Sequence, residues 1–185
     1  MPIPPTNDTL ARLADLQHDY QPREIAVLGD IVHRAMALPV LADEVRELFE
    51  ALSTHSQLTF IAGNHDRNLQ IVLKEWMLPI ELIQSRSVGD YILMHGDAAS
   101  SKRNAGSCTV MGHEHPAISI GDGVTTSQKC PCFLVSESVI VLPAFSRWAA
   151  GTDFRAYPFM SEAARASTFT QAVAICGEKL LPVQL

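Results

Sequence analysis

Four short polar motifs, each placed directly after an apolar run, constrain the fold of this chain more than any other feature. The motifs are Gly29-Asp30, Gly63-Asn64-His65-Asp66, His95-Gly96-Asp97 and Gly112-His113-Glu114-His115. The apolar runs are typical of buried strands, and residues at the carboxyl ends of strands in an α/β sheet face the crevice where ligands bind. Their glycines let the backbone turn sharply. The sequence therefore predicts several Asp, Asn and His side chains at the rim of one crevice.

The first half of the chain has the pattern of strand–helix–strand units. One helix is predicted before Pro22 by leucines that recur on one face, at Leu10, Leu13 and Leu16. A second helix is predicted by the apolar face of Leu41, Val45, Leu48, Phe49 and Leu52. Strands are expected at 24–28, 58–62 and near 80–83, and a third helix across 67–76.

The second half is richer in short β-type runs, separated by Gly, Asp or Ser. These runs lie at 90–94, 108–111, 117–120, 132–135, 139–142, 172–176 and 179–182. A surface loop is expected at 149–159, and either a short helix or an irregular link at 161–170. The two halves together predict an α/β fold with four layers, an α/β/β/α sandwich, built as a single domain over residues 1–185.

Composition excludes several classes of protein. The chain has 185 residues, of which 47% are hydrophobic and 18% charged, and this balance excludes intrinsic disorder. No apolar run is long enough for a membrane span and no secretory signal is recognisable, so a cytoplasmic protein is expected. The net charge of −6 includes no basic run, which argues against broad binding of long nucleic acid.

The four cysteines fit no zinc-ribbon spacing. They are Cys108, Cys130, Cys132 and Cys176, and the pair at 130 and 132 is separated by one residue only. The favoured interpretation is reduced thiols in the strands of a cytosolic protein. A metal or redox role for Cys130 and Cys132 is a minor alternative.

The residue types in the four motifs suit a divalent transition metal. Imidazole and carboxylate ligands select manganese, iron or zinc over calcium or magnesium. A carboxylate shared by two such ions brings them close together, and two cations can activate a water and bind the oxygens of a phosphate ester. Taken singly, Gly29-Asp30 suits a turn and Asn64 or His65 suits a helix cap, but the joint occurrence of four motifs favours metal binding. His113 and His115 are expected to share one strand face.

The ordered motifs resemble those of the calcineurin-like metallophosphoesterase superfamily. Gly112-His113-Glu114-His115-Pro116, followed by 132–134 and 142–145, resembles a smaller branch related to the SbcD repair nucleases, which includes the ligase-associated DNA-damage-response type. The resemblance implies a metal-dependent phosphoesterase, with a phosphodiester or a nucleic-acid end as a candidate substrate. It implies two divalent ions, manganese in the first place and iron or zinc as alternatives.

The resemblance also implies a role for each matching residue. Asp30 matches the carboxylate that bridges the two metals, and His115 matches a ligand of the first metal. The ligands implied for the second metal are Asn64, His95 and His113. His65 matches the catalytic histidine that helps the leaving group depart, and Asp66 would orient and charge that histidine.

One family motif is absent from this sequence. The superfamily opens with a strand that ends in Asp-x-His and supplies two further ligands of the first metal, but no Asp-x-His precedes Asp30. Asp15-Leu16-Gln17-His18 is one residue longer and lies in a predicted helix. The sequence thus predicts an N-terminally shortened domain that lacks the first strand. The alternative function is a catalytically impaired binding or scaffold domain.

The predicted partners follow from the same resemblance. A phosphoester substrate is expected, with nucleic acid and DNA-repair proteins as further candidates. No membrane partner is expected, and the oligomeric state is left open.

Overall fold

A computed structural model describes residues 5–31, 38–75, 77, 79–98, 106–121, 126–147, 149 and 151–185. The chain divides into two compact units, one ending at Gln84 and the other beginning at Ser85. Three parts of the sequence predictions lie outside the described residues: the helix end at residue 76, the side chain of Leu41, and residue 150 of the predicted loop.

The first unit alternates helices with a parallel sheet. In chain order it contains α1 (Pro5–Tyr20), β1 (Glu24–Leu28), α2 (Leu38–Ser53), β2 (Gln57–Ile61), α3 (Arg67–Glu75) and β3 (Leu82–Ile83). The strands lie in the order β1-β2-β3, and both pairs are parallel. Leu28 pairs with Ile61, so the motifs that follow these two residues begin at the same edge of the sheet. This order of elements confirms the prediction from apolar spacing.

A buried glutamine joins the first two helices of this unit. Gln17 on α1 donates its side-chain amide to Leu52 O at 2.8 Å and to Ser56 Oγ at 2.9 Å. Ser56 in turn donates to Pro22 O at 2.7 Å. Gln17 is 8% exposed, whereas Leu16 is 43% exposed, so the predicted leucine face is wrong at position 16. A polar residue takes the inward position because the end of α2 supplies its partners.

The second unit is built almost entirely of strands. They are β4 (Ser85–Val88), β5 (Tyr91–Met94), β6 (Cys108–Met111), β7 (Pro116–Gly121), β8 (Ser127–Val135), β9 (Val139–Val141), β10 (Thr152–Asp153), β11 (Gln171–Cys176) and β12 (Lys179–Gln184), with the one-turn helix α4 (Glu162–Arg165) before β11. The described strands form one sheet in the order β10-β7-β8-β9-β6-β5-β4, and β11 pairs with both β8 and β12. Strands β5, β6 and β9 are parallel to one another.

The core of this unit comes from alternate residues of its central strands. Met111, Leu134 and Val141 are fully buried, as expected for one face of neighbouring strands. Burying a side chain such as Leu134 contributes about 1.5–3 kcal/mol. The core lies directly before the turns that carry the histidine motifs, so it fixes the backbone from which they project.

Three features of this unit differ from the sequence prediction. Strand β8 begins at Ser127, five residues before the predicted run at 132–135. Strand β4 was not predicted because Ser85-Arg86-Ser87-Val88 lacks an apolar run; among the described strands it pairs with β5. The predicted loop at 149–159 contains the two-residue strand β10, which pairs with β7. The short helix foreseen as one option for 161–170 is present as α4. Among the described helices, none has the length and apolar character of a membrane span.

Candidate metal centre

The turn after β1 presents Asp30 in a left-handed backbone conformation. Gly29 has φ 80° and Asp30 has φ 52°. The Asp30 N–H donates to Asp66 Oδ2 at 2.8 Å, and Asp30 Oδ1 accepts from the His65 N–H at 3.1 Å. Asp66 Oδ2 also accepts from the Gly63 N–H at 2.9 Å. Two carboxylates therefore connect the turn after β1 with the turn after β2.

Glycine is required at position 63 because a side chain would not fit there, and not because the backbone has a positive φ. A Cβ at position 63 would lie 2.5 Å from Asp30 N and would overlap Asp30 Oδ1. The predicted role of glycine as a sharp-turn residue holds for Gly29 and for Gly96, whose φ is 114°. At Gly63 the missing side chain instead lets the two strand ends approach each other.

The residues of the second motif differ strongly in exposure. Asp66 is 2% exposed and precedes α3, and its carbonyl accepts from Leu69 N at 3.0 Å. Asn64 is half-buried, while His65 is exposed. The exposed imidazole of His65 is accessible to a substrate. The buried carboxylate of Asp66 accepts hydrogen bonds from backbone amides. The predicted action of Asp66 on the His65 ring stays a prediction.

In the second unit, the third and fourth motifs bring two imidazoles together. His95 follows β5 and is 2% exposed, and its carbonyl accepts from Gly112 N at 3.0 Å. His95 Nε2 lies 3.2 Å from His113 Nδ1. The rings are steeply inclined, with 70° between their planes. The two predicted ligands are therefore neighbours through their ring nitrogens.

The spacing of these two nitrogens fits a shared cation. Ring nitrogens bind ions such as zinc at about 2.0–2.1 Å, so adjacent ligands on one tetrahedral or octahedral ion lie roughly 3.0–3.4 Å apart. The observed 3.2 Å falls within that range. Without an ion, the same spacing lets one ring N–H donate to the other nitrogen, which removes the penalty of burying His95.

His113 and His115 lie in the turn between β6 and β7 and not on a strand. Their φ values are 61° and 45°, and Glu114 N donates to Gly112 O at 2.7 Å. This bond across His113 makes a γ-turn of the rare positive-φ type. The expectation that the two histidines share a strand face was wrong, because the strand ends at Met111 and the backbone turns before them.

Glu114, between the two histidines, was missed by the sequence interpretation as a site residue. It is 5% exposed, its Oε2 accepts from Met160 N at 3.0 Å, and its Oε1 accepts from Ser161 N at 2.6 Å. Its partners are backbone amides, which have no sequence signature. The signal that could have found it is an acid flanked by two candidate ligand histidines.

Backbone strain is concentrated at the predicted ligands. Among the described residues, the non-glycine positions with positive φ are Gln21, Asp30, Met77, His113 and His115. Three of these five are predicted metal ligands. Residues in sparsely populated backbone regions cluster at functional sites, where the surrounding structure holds them in place.

Neither sequence alternative to these ligands gains support from the described residues. His18 lies on the surface of α1, with 88% of its side chain exposed and its Nδ1 3.2 Å from Asp19 Oδ1. Burial, with the adjacent Cys176 thiol, raises the pKa of Cys130 to about 11. Burial, with the charge of Asp153, raises the pKa of Cys132 to about 12. Both pKa values favour the thiol form of these cysteines at neutral pH in the metal-free protein.

The fold and these motifs define a class of metal-dependent phosphoesterases. The family model of the calcineurin-like phosphoesterase matches residues 5–129, and the chain belongs to this family. The crystal structure of the Pseudomonas putida nuclease MPE is similar in fold, with a TM-score of 0.69 and 24% identity over 96% of this chain and 78% of that chain. No curated protein sequence matches the chain. The predicted mixed α/β fold of the superfamily is confirmed.

Proposed function

We propose that this protein hydrolyses phosphate esters with two divalent metal ions, most simply manganese, bound by residues of the four motifs. The proposed ligands are Asp30, Asn64, His95, His113 and His115. Family membership supports metal-dependent phosphoester chemistry in general. The particular ligands and the number of ions are part of the proposal.

The His95–His113 pair is the observation that carries this function. Its two ring nitrogens are 3.2 Å apart, and His113 has a φ of 61°, a sparsely populated backbone region of the kind that clusters at functional sites. Asp30, whose φ is 52°, is the proposed bridging carboxylate.

Each of the chain's own residues has a task in the proposed reaction. Bound divalent ions would supply positive charge at the phosphate oxygens and make water a stronger nucleophile. His65, exposed on the turn after β2, donates a proton to the departing oxygen. Asp66 fixes the backbone at Asp30 and Gly63. We further propose that residues 1–185 work as a single functional domain.

A phosphodiester is the substrate class that we favour. The similar fold in Pseudomonas putida is described as a nuclease, and this description supports a nucleic-acid end as the substrate. The net charge of −6 argues for contact with a short stretch of the strand and not with a long duplex. We further propose a cytoplasmic location, which the four cysteines in thiol form support.

Manganese binding and hydrolysis test this proposal together. The purified protein, loaded with manganese and freed of excess metal, is expected to retain about two ions per chain. It should hydrolyse bis(4-nitrophenyl) phosphate. His113→Asn should lose metal and activity together, whereas His65→Asn should keep its metal and lose about 10²–10⁴-fold in rate.

His55→Asn is the matched control, since His55 is an exposed histidine on the surface of the first unit. It should behave as the wild type in both assays. Full metal binding by His113→Asn would contradict the ligand set. Metal binding by the wild type without hydrolysis of any phosphodiester would favour the scaffold function instead.

A further inference from the structure

The acid between the two proposed ligand histidines is buried and bonded to the segment at 160–161. Glu114 is 5% exposed, and each of its carboxylate oxygens accepts a backbone N–H. These two hydrogen bonds connect Glu114 to the 160–161 segment. Its neighbours His113 and His115 have the positive φ values that turn the chain at this point.

The segment that receives Glu114 is itself held by several bonds. Ser161 Oγ accepts from Ala164 N at 3.3 Å as the cap of α4, and Arg165 Nη1 donates to Phe159 O at 3.1 Å. Arg165 also donates to Met160 O at 2.5 Å. The segment that donates amides to Glu114 is therefore held in place by hydrogen bonds of its own.

We propose that Glu114 is a positioning residue for His113 and His115, an inference that rests on the proposed function. Its carboxylate draws the middle of the His113–His115 turn against Met160 and Ser161. This attachment stabilises a backbone conformation that neither histidine would adopt by itself. Mutating a group that orients metal ligands without touching the metal typically lowers metal affinity by about 10–100-fold.

Glu114→Gln removes one of the two acceptors without changing the size of the side chain. The glutamine carbonyl can accept from one amide, but its NH₂ group then faces the other N–H. The turn should loosen, and manganese affinity at fixed pH should fall about 10–100-fold. The ring ¹⁵N and ¹H signals of His113 and His115 in the metal-free protein should move as well.

Ser161→Ala is the matched control. It removes the cap of α4 but keeps the Ser161 N–H that Glu114 accepts. It should lower the thermal midpoint and leave both manganese affinity and the histidine signals close to those of the wild type. Equal losses of affinity in Glu114→Gln and Ser161→Ala would reduce Glu114 to a general stabilising residue and overturn the proposal.

A second pair of variants tests the same hydrogen bond by changing its donor residue, Met160. Met160→Pro deletes the N–H that Glu114 Oε2 accepts, and Met160→Ala keeps it while trimming an exposed side chain. Only the proline variant should weaken manganese binding. This pair decides the matter even if Glu114→Gln does not fold.

The two proposals fail in different ways. If the wild type binds no manganese, the proposed function is wrong, and the histidine signals of the metal-free proteins still test the positioning. If the wild type binds manganese and Glu114→Gln binds it equally well, with unmoved histidine signals, the role of Glu114 is wrong and the function stands.

Discussion

At the scale of single residues, two buried acids stabilise the strained backbone that presents the proposed ligands. In the first unit, Asp66 accepts a hydrogen bond from the Asp30 amide. In the second unit, Glu114 accepts hydrogen bonds from the amides of Met160 and Ser161, and it lies between His113 and His115 in the chain. A left-handed non-glycine residue costs about 1–3 kcal/mol. A hydrogen bond to a charged group contributes about 1.5–3 kcal/mol, so the two effects are of similar size.

Gly63→Ala tests how closely the turn after β2 must approach Asp30. The added Cβ would overlap the Asp30 carboxylate, which must then move away from its present place. We expect manganese affinity to fall at least about tenfold, as for loss of an orienting contact. Isothermal titration with manganese measures this change.

Gly177→Ala is the control for that substitution. Gly177 lies in the β11–β12 turn with φ 62° and no atom within 4 Å of the added Cβ. Alanine there introduces backbone strain without a steric overlap, so stability should fall while affinity is kept. Unchanged manganese affinity in Gly63→Ala would show that Asp30 does not depend on this approach.

At the scale of elements, apolar periodicity was sufficient where burial decides the structure. Strands 24–28 and 108–111 begin and end where the sequence predicts. The residues of β1 are half-buried, and those of β6 are alternately half-buried and buried. β4 and β10 could not be predicted, since their pairing depends on neighbouring strands and not on their own residues. The shared strand face expected for His113 and His115 was wrong because spacing alone does not reveal a positive φ.

The contacts of Asp153 illustrate how tertiary structure stabilises β10, a strand that the sequence does not predict. In β10, its Oδ2 accepts from Ser119 Oγ at 2.7 Å and from Ser119 N at 3.1 Å, and its Oδ1 accepts from Arg155 N at 3.1 Å. Burial alone would raise the pKa of Asp153, but these hydrogen bonds outweigh it and lower the pKa. The ionised carboxylate therefore attaches β10 to β7.

Asp153→Asn should destabilise the protein by about 1–3 kcal/mol at pH 7. Because the folded-state pKa is lowered, the stabilisation is fully present above the unfolded value of about 4 and is lost as the pH falls through the folded value. The difference between wild type and variant should thus shrink in urea unfolding at pH 3. Asp43→Asn, on an exposed pair with Arg46, should have little effect at either pH. A difference that is independent of pH would contradict this account.

At the scale of the whole molecule, four motifs in order predicted the family, although each alone was weak. The family match over residues 5–129 confirms the superfamily and its mixed α/β fold. The sequence could name candidate ligands because side chains carry the metal chemistry. It could not reveal Glu114 as a structural contact, since amide donors are the same at every position except proline.

Metal binding should stabilise the whole chain. An ion that binds only the folded state at about 100 times its dissociation constant adds about 2.7 kcal/mol, or roughly 5–10 °C in thermal midpoint for a chain of this size. Calorimetric scans with manganese should show this rise in the wild type, a chelator should reverse it, and His113→Asn should show little of it. An equal rise in His113→Asn would indicate that manganese binds elsewhere.

The burial of His95 has a consequence for the route and timing of ion exchange. With only 2% of His95 exposed and the half-buried His113 3.2 Å away, we expect an arriving ion to meet His113 first and to shed its water before it reaches His95. Departure follows the reverse order and requires the ion to leave its most enclosed ligand first. Uptake should then be limited by dehydration of the ion, and release should be slow compared with the duration of a catalytic turnover.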